Sequence, residues 1–483
     1  MDAMTAAQTE AKAAAKADVA LLVAKARVAQ RAYEAYNQQQ VDDVVLAAAW
    51  AIMEPSRNRE LAAMAVKDTG LGDANDKFKK NYRKTLGLLR DLSQARSVGV
   101  IANDPATGIT EYARPVGVVG AITPSTNPAA TPINKILNAL KGRNAIVLAP
   151  SPKGHSTALR LLHYVHSELQ RTGMSASMAQ GLVQTIAAPV DKAKTHALMQ
   201  QVDLIVATGS QANIRAAYSS GTPAFGVGAG NVAAIIDETA DVAAAAKRIA
   251  LSKTFDHATS CSSENSVVIV NQAYDAAVSA LRDAGGVLLD NEDRAALQSA
   301  MFVDGHLAPA VIAQSAGTIA ALAKLRSPTA AAARFLMVTE SGFGAQHPFS
   351  GEKLSPVLAV YRARDFADAV AIVNHIYAYQ GAGHSVSLHS QDSEQRAAIL
   401  AQTLPVSRVI VNQAHCIATG GSFDNGLPFS LSMGCGTWGG NNFSDNLNYR
   451  HYLNISRVAR PIAEVVPTET QIFGAFFERY GKS

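Results

Sequence analysis

The chain has 483 residues, of which 48% are hydrophobic and 17% charged, a composition typical of a globular protein with two or three domains. Its formal net charge is only +4 and no long basic run occurs, which disfavours a nucleic-acid-binding protein. Three cysteines, at positions 261, 416 and 435, form no zinc-binding or C-x-x-C pattern, so we predict no metal site and expect a reducing, cytoplasmic compartment.

The first 95 residues are rich in Ala, Lys and Gln, and their apolar residues recur at helical spacing, which predicts mostly helix. The apolar run VALLVA lies within a charged stretch and does not fit a signal peptide. No uncharged run approaches the roughly 20 residues of a bilayer span, so we expect no membrane insertion. In residues 97–115, two β-prone pieces flank the turn signal NDPATG and predict a hairpin.

From residue 116 to 253, apolar strand-like runs such as VGVVGAIT and NAIVLAP alternate with helix-like segments such as PINKILNALKG. A second alternating set follows Cys261. This order predicts an α/β protein with parallel sheets. The segment from about residue 418 is rich in Gly, Asn and Ser and is predicted to be loop, which in compact enzymes often carries function.

Two glycine-rich loops are candidate phosphate sites. GVGAGN, residues 226–231, has G-x-G-x-G spacing and precedes a strand, so a tight backbone crossover explains it better than a dinucleotide fingerprint. ATGSQAN, residues 207–213, follows a strand and opens a helix. There, Gly209 and Ser210 could present backbone N–H groups to a phosphate, or could simply cap the helix.

Asn127 and Cys261 are the candidate catalytic residues in the pattern. Asn127 lies between prolines after a buried strand, where its amide could donate to an oxyanion or serve as an ordinary turn residue. Cys261, in HATSCSSEN, has small polar neighbours and is followed by a strand. Two interpretations remain for this residue: a catalytic nucleophile or an inert buried thiol. His257 is too close in sequence to pair with Cys261 unless the segment is helical. Cys416 and Cys435 fit ordinary packing.

The order of PVGVVGAITPSTNP, NAIVLAPSPKG, ATGSQAN, GVGAGN, TSCSSEN, EKLSPVLAVY and GCGTWGGNNFSDN resembles the aldehyde dehydrogenase superfamily over about residues 15–460. More narrowly, the chain resembles its CoA-acylating branch: the aldehyde half of bifunctional alcohol/aldehyde dehydrogenases and the short acylating acetaldehyde, propionaldehyde and sulfoacetaldehyde dehydrogenases. The resemblance implies an aldehyde dehydrogenase-like fold of two parallel-sheet α/β domains plus a small oligomerisation hairpin.

The resemblance also implies site residues. Cys261 matches the catalytic thiol, and Asn127 matches the amide that forms the oxyanion hole with the Cys261 backbone N–H. His384, in GAGHSV, matches a Gly-His segment and could assist the CoA thiol, with a structural strand histidine as the alternative. The implied cofactor-binding residues are Pro150, Ser151 and Lys153 near the adenosine ribose, Gly209 and Ser210 at the turn that faces the pyrophosphate, and Glu352 at the nicotinamide ribose. Thr123 and Gly228 are also expected to bind the cofactor.

One departure from the hydrolytic members concerns their glutamate base, in segments of the type E-L-G-G-K. Here Gly226 occupies that place, so no carboxylate is expected there to activate water, and losing a positioned base typically costs about 10²–10⁴-fold. We therefore expect reversible, NAD- or NADP-dependent oxidation of a short aldehyde to an acyl-CoA through a Cys261 thioester. A hydrolytic aldehyde dehydrogenase, an acyl-phosphate reductase and a non-redox cysteine acyltransferase are the alternatives.

Sulfoacetaldehyde is the substrate favoured by overall similarity, and Arg450 and His451 could meet its sulfonate, although no spacing indicates it. By resemblance, we expect residues 1–238 to form a cofactor domain that carries the 97–115 hairpin, and residues 239–430 to form the catalytic cysteine domain. Residues 431–483 are expected to return to the first domain and to supply a C-terminal oligomerisation segment, giving a homodimer or homotetramer.

Overall fold

The computed structural model describes residues 3–228 and 230–482. Within them, the α-helices are α1 (Ala3–Glu34), α2 (Gln38–Met53), α3 (Pro55–Thr69), α4 (Ala74–Ser93), α5 (Ala130–Lys141), α6 (His155–Arg171), α7 (Ala176–Leu182), α8 (Lys192–Met199), α9 (Gln211–Tyr218), α10 (Val242–Thr254), α11 (Tyr274–Asp283), α12 (Asn291–Met301), α13 (Ala316–Leu322), α14 (Phe366–Tyr379), α15 (Ser393–Thr403), α16 (His415–Ala418) and α17 (Glu469–Tyr480).

The strands are β1 (Gly99–Asp104), β2 (Ile109–Pro115), β3 (Val118–Thr123), β4 (Ala145–Pro150), β5 (Val183–Thr185), β6 (Leu204–Thr208), β7 (Ala224–Val227), β8 (Val232–Ile236), β9 (Glu264–Val270), β10 (Gly286–Leu288), β11 (Phe302–Val303), β12 (His306–Leu307), β13 (Phe335–Thr339), β14 (Val357–Ala363), β15 (Val386–His389), β16 (Val409–Val411) and β17 (Leu453–Ala459).

The first α/β unit is a five-stranded parallel sheet in the order β5-β4-β3-β6-β7. Every residue of β3 and β4 is buried, as expected of apolar strands that are covered by helices on both faces. The amino-terminal helices supply part of that cover. In α1, Val19, Val23 and Ala26 are buried at helical spacing against the same core, so the predicted amphipathic helix is confirmed.

The second unit is a seven-stranded sheet in the order β10-β13-β14-β9-β8-β15-β16, in which all of the neighbouring strands are parallel. Strand β8 (Val232–Ile236) belongs to this sheet because it pairs with β9 and β15. The change of sheet therefore falls before residue 232, ahead of the predicted domain boundary at 238. A fully buried strand can join either neighbouring sheet, so its sequence did not reveal its partner.

The predicted hairpin forms from β1 and β2, and β17 adds to it as a third antiparallel strand. In the segment that precedes β17, the side chains of Phe429, Leu447 and Tyr452 pack into the core of the first unit. The segment beyond β17, including α17, is almost entirely exposed. In the described part of the chain, no helix combines the length and the apolar character needed to cross a bilayer.

The two sheets bring their loops together. Strands β3, β4 and β6 end at Thr123, Pro150 and Thr208, and because they are parallel their carboxyl ends lie at one edge, where α/β proteins commonly bind ligands. Cys261 lies just before β9, at the amino end of a central strand of the second sheet. The predicted cofactor-binding residues and the predicted nucleophile therefore lie close together, between the two α/β units.

Candidate active site

A cavity of about 320 Å³ surrounds Cys261, and we refer to it as the cysteine cavity. Both α/β units contribute to its lining: Pro124, Ser125, Thr126, Asn127, Thr131, Thr208, Gly209, Ser210, Gln211, Gly228, Thr259, Ser260, Cys261, Glu352, Leu354, Leu431 and Met433. Six of the predicted site residues, including Asn127, Gly228 and Glu352, therefore line one cavity, although they come from five separate loops.

His384 is the hydrogen-bond partner of the Cys261 thiol. The distance from Cys261 Sγ to His384 Nε2 is 3.4 Å, and His384 Nδ1 lies 2.7 Å from Ser385 Oγ. Burial and the nearby guanidinium of Arg408 hold the pKa of His384 well below its usual value, so the imidazole is uncharged at neutral pH. With a proton on Nδ1 donated to Ser385, Nε2 presents a lone pair to the thiol.

Close backbone packing creates this pairing. A Cβ built on Gly230 would lie 2.4 Å from the carbonyl oxygen of Cys261 and 3.0 Å from Cδ2 of His384. Any side chain at position 230 would therefore separate the thiol from the imidazole. His257, the sequence neighbour considered as a partner, lies instead in the turn that precedes Cys261.

Burial raises the pKa of the Cys261 thiol to about 12, and the neighbouring carboxyl of Glu352 adds to the effect. Burial also raises the pKa of Glu352 to about 8, so this carboxyl is mostly protonated at neutral pH. Glu352 Oε1 accepts a hydrogen bond from the Gly230 backbone N–H at 3.2 Å. Glu352 is the one carboxyl among the lining residues of the cysteine cavity, and in its neutral form it is a weak base.

Gly226 occupies the position at which the hydrolytic members of the family carry their glutamate base. Neighbouring side chains already fill the space that a side chain at this position would need. A Cβ there would lie 2.8 Å from Ile214 and 3.1 Å from the ring of Tyr218, whose hydroxyl also accepts from the Gly226 N–H at 3.1 Å. The expected absence of a carboxylate at this position thus coincides with tight packing of β7 against α9.

Cys261 follows a strained turn. Asp256, His257 and Ala258 have φ angles of 50°, 49° and 58°, and each such non-glycine residue typically costs about 1–3 kcal/mol. The buried carboxylate of Asp256 stabilises the turn: it accepts from the Asp73 backbone N–H at 2.8 Å and from Thr259 Oγ1 at 2.7 Å. The turn therefore depends on contacts with the start of α4.

Two buried lysines of α4 share the same carboxylate. Lys77 Nζ and Lys80 Nζ lie 3.0 and 2.5 Å from Asp256 Oδ2. Although burial favours the protonated acid, Lys80 and Lys77 hold the pKa of Asp256 below its usual value. The charged carboxylate in turn explains how two ammonium groups are tolerated in the interior.

Lys80 also reaches the predicted oxyanion residue. Its Nζ donates to Asn127 Oδ1 at 2.9 Å and to Thr259 Oγ1 at 3.1 Å. Because the carboxamide oxygen is occupied by the ammonium, the Asn127 NH₂ group is turned to the opposite side, as a donor to an oxyanion requires. Lys77 donates instead to the backbone carbonyl of Thr126 at 2.9 Å. Sequence reasoning missed both lysines.

A groove of about 610 Å³ runs along the carboxyl edge of the first sheet, and we call it the sheet-edge groove. It is lined by Thr123, Pro150, Ser151, Gly209 and Ser210 among the predicted residues, and it shares Gly209 and Ser210 with the cysteine cavity. Ser210 caps α9, and its side chain accepts from Asn213 N, so a helix N-terminus borders the groove. These features fit an elongated ligand with a phosphate group.

Lys153 does not line this groove. It is exposed on a single 3₁₀ turn after β4, and the lysine among the groove residues is Lys192, at the start of α8. Sequence reasoning missed Lys192 because α8 and β4 are distant in the chain, and only the fold places them at the same edge.

A second cavity, of about 430 Å³, adjoins the cysteine cavity, with which it shares Asn127, Ser260 and Leu431. We call it the basic cavity because its lining includes five lysine and arginine side chains and one acid. These six residues are Asp76, Lys79, Lys80, Arg83, Lys84 and Arg334.

Arg450, which we considered as an anion ligand, lines different cavities with Gln94 and Tyr449, and His451 packs against Phe225 and Phe443. Neither residue is among those that line the cysteine cavity or the basic cavity.

Comparisons with known proteins identify the family of the chain. The aldehyde dehydrogenase family profile matches residues 3–295. The acylating sulfoacetaldehyde dehydrogenase of Cupriavidus necator is 62% identical over 472 residues, which cover 98% of this chain and 94% of that protein. The acylating sulfoacetaldehyde dehydrogenase of Bilophila wadsworthia is 41% identical over 462 residues, covering 95% and 98% of the two chains.

A solved structure gives the same result for the fold. The crystal structure of an acetylating aldehyde dehydrogenase from Geobacillus thermoglucosidasius matches with a TM-score of 0.89 at 34% identity, and the match covers 95% of this chain and 99% of the other. The chain therefore belongs to the acylating branch of the aldehyde dehydrogenase family and is an oxidoreductase that acts on aldehydes.

Proposed function

We propose that the protein oxidises sulfoacetaldehyde to sulfoacetyl-CoA with NAD or NADP. One aldehyde, one oxidised cofactor and one CoA thiol give one acyl-CoA, one reduced cofactor and one proton. The observation that carries this proposal is the position of Cys261 between the sheet-edge groove, which fits a dinucleotide, and the basic cavity, which fits an anionic aldehyde. The two acylating relatives at 62% and 41% identity support the same substrate.

The first step is attack by Cys261 on the aldehyde carbon. A thiol whose pKa is about 12 needs a base, and the uncharged His384 imidazole lies 3.4 Å from Sγ. As the carbon–sulfur bond forms, the thiol proton passes to His384 Nε2. Negative charge develops on the former carbonyl oxygen, where the Asn127 amide and the Cys261 backbone N–H donate to it; one such donor is typically worth about 3–4 kcal/mol of barrier.

The second step converts the adduct to a thioester on Cys261. A nicotinamide dinucleotide held in the sheet-edge groove would supply the acceptor for the hydride of the aldehyde carbon. Thr123, Pro150, Ser151, Gly209 and Ser210 would hold the dinucleotide, with Gly228 and Glu352 at its nicotinamide end. Lys192 lines the groove and would be the lysine nearest the dinucleotide, whereas Lys153 is not among the groove residues.

The third step is attack by the CoA thiol on this thioester, which releases Cys261. His384 has by then lost its proton to solvent and can take the proton of the incoming thiol. Water is a poor competitor because the neutral Glu352 is a weak base and Gly226 supplies none. Since one thioester replaces another, the overall reaction can run in both directions.

We also propose that the chain forms a dimer or tetramer. Its three free thiols favour a reducing, cytoplasmic compartment. The segment that follows β17, the last strand of the three-stranded sheet, is exposed and carries apolar side chains. Val465 is 85% exposed and Phe476, in α17, is 54% exposed. Apolar patches of this kind usually mark an interface.

We expect the protein to sediment as an oligomer and the double variant Phe473→Glu, Phe476→Glu to dissociate; a wild type that is monomeric at micromolar concentration would contradict this.

Omitting CoA tests the release step. We expect reduced cofactor to form from sulfoacetaldehyde at least about 10²-fold more slowly in steady state without CoA, and not at all in Cys261→Ala. The measurement is the near-ultraviolet absorbance of the reduced cofactor together with the product ratio of free acid to acyl-CoA. Glu352→Gln is the control: CoA-independent hydrolysis that rises above pH 8 and disappears in this variant would make Glu352 a water-activating base.

Replacing His384 tests its role as the base. The wild-type kcat/KM for aldehyde should vary little between pH 7 and 9, because the imidazole stays uncharged. In His384→Ala, the small thiolate fraction of a thiol with pKa about 12 should limit the rate, with a loss of about 10²–10⁴-fold at pH 7 and a rise of about tenfold per pH unit. Ser385→Ala, which keeps Nε2, should lose much less. Parallel pH profiles for wild type and His384→Ala would exclude this role.

A further inference from the structure

We propose that Arg83 binds the anionic head group of the aldehyde and thereby selects a sulfonate substrate. This inference rests on the proposed function, because it gives that substrate a binding site. The basic cavity shares Asn127 and Ser260 with the cysteine cavity, so it lies directly beside the reacting carbon. In sulfoacetaldehyde only one methylene separates that carbon from the sulfonate, which must then lie at this junction.

The other cations of the basic cavity have partners or lie in solvent. Lys80 Nζ is held by Asp256 and Asn127, and Lys84 Nζ donates to the backbone carbonyls of Gly420 and Gly421 at 2.8 and 3.2 Å. Lys79 is largely exposed and lies 3.2 Å from Asp76. None of these ammonium groups is both buried and free to take a ligand.

Arg334 is exposed, and its guanidinium donates to Ala284 O at 3.0 Å and to Thr254 Oγ1 at 3.4 Å. Its charge contributes to the electrostatic field of the cavity, but its N–H groups already donate to these two acceptors.

Arg83 differs from all of them. Its Nη2 donates to Ser422 Oγ at 2.7 Å, while its buried Nη1 has no hydrogen-bond partner among the described residues. The guanidinium lies 5.3 and 5.8 Å from the ring centroids of Phe423 and Phe429, and these aromatic rings fix its plane. A buried polar group with an unmet donor requires an explanation, and a planar guanidinium is well suited to bind oxyanions.

Arg90 provides a matched control about two turns further along α4. It also contacts Phe429 and Phe423, at 4.8 and 5.8 Å, and its Nη1 donates to the carbonyl oxygen of Ser422 at 3.2 Å. It is absent from the lining residues of the basic cavity. The two arginines thus contact the same aromatic rings and differ in whether they line the basic cavity.

The test compares sulfoacetaldehyde with the neutral propionaldehyde in wild type, Arg83→Met, Arg83→Lys and Arg90→Met, with saturating CoA and cofactor. We expect Arg83→Met to raise KM for sulfoacetaldehyde roughly 10- to 100-fold, as for loss of one charge-assisted hydrogen bond, and to change propionaldehyde kinetics less than about threefold. Arg83→Lys should recover part of the loss. Arg90→Met should affect both aldehydes equally and little.

Inhibition by 2-hydroxyethanesulfonate gives a readout that does not depend on turnover of the sulfonated substrate. It should compete with propionaldehyde in wild type and Arg90→Met, and lose this competition in Arg83→Met. Equal changes for both aldehydes, no change for either, or unaltered inhibition in Arg83→Met would each overturn the assignment. Succinic semialdehyde tests the head group, and a preference for this carboxylate over sulfoacetaldehyde would contradict a sulfonate site.

The outcomes separate this inference from the proposed function. If wild type yields free acid without CoA, yet Arg83→Met selectively loses the sulfonated aldehyde, the release step is wrong and the subsite stands. If acyl-CoA forms but Arg83→Met treats both aldehydes alike, the function stands and the subsite is wrong.

Discussion

The contact between Lys80 and the buried carboxylate of Asp256 joins the two halves of the active site. Asp256 holds the left-handed turn before Cys261, and Lys80 extends from the same carboxylate to the oxygen of Asn127. The nucleophile and the oxyanion donor come from different α/β units, so their separation depends on this bridge. Because removing one partner of a buried ion pair typically costs about 3–5 kcal/mol, the arrangement is strongly fixed.

One face of α4 serves two purposes. Lys77 and Lys80 point to the turn that precedes the cysteine, and Arg83, in the next turn of the helix, lines the cavity in which we place the sulfonate. Positive charge on this face also favours the oxyanion that forms beside Asn127, since preorganised charges act strongly in a buried site. The positioning of the catalytic groups and the choice of an anionic aldehyde therefore depend on the same helix.

The sequence was sufficient to predict the alternation of strands and helices, because apolar runs and turn residues are local signals. It also indicated Cys261 and Asn127, which stand in short motifs. It did not indicate Lys80, because a lysine at helical spacing ordinarily faces solvent, and here it lies on the buried stripe of α4. The contact between Cys261 and His384 joins residues 123 positions apart, and only the packing of two sheets reveals it. For the same reason, the sheet to which Val232–Ile236 belongs and the groove lysine Lys192 were not predictable.

A double-mutant cycle on kcat for sulfoacetaldehyde oxidation tests the central bridge most directly, using Lys80→Met, Asn127→Ala and the combined variant. If Lys80 acts through Asn127, the combined variant should be scarcely slower than Asn127→Ala alone, which gives a coupling energy within the range of about 0.5–3 kcal/mol that contacting residues show. Lys77→Met removes the other lysine of Asp256, whose Nζ contacts the Thr126 carbonyl and not the Asn127 side chain, and should show a smaller coupling with Asn127→Ala. A coupling between Lys80→Met and Asn127→Ala no larger than that of the Lys77→Met cycle would contradict the account.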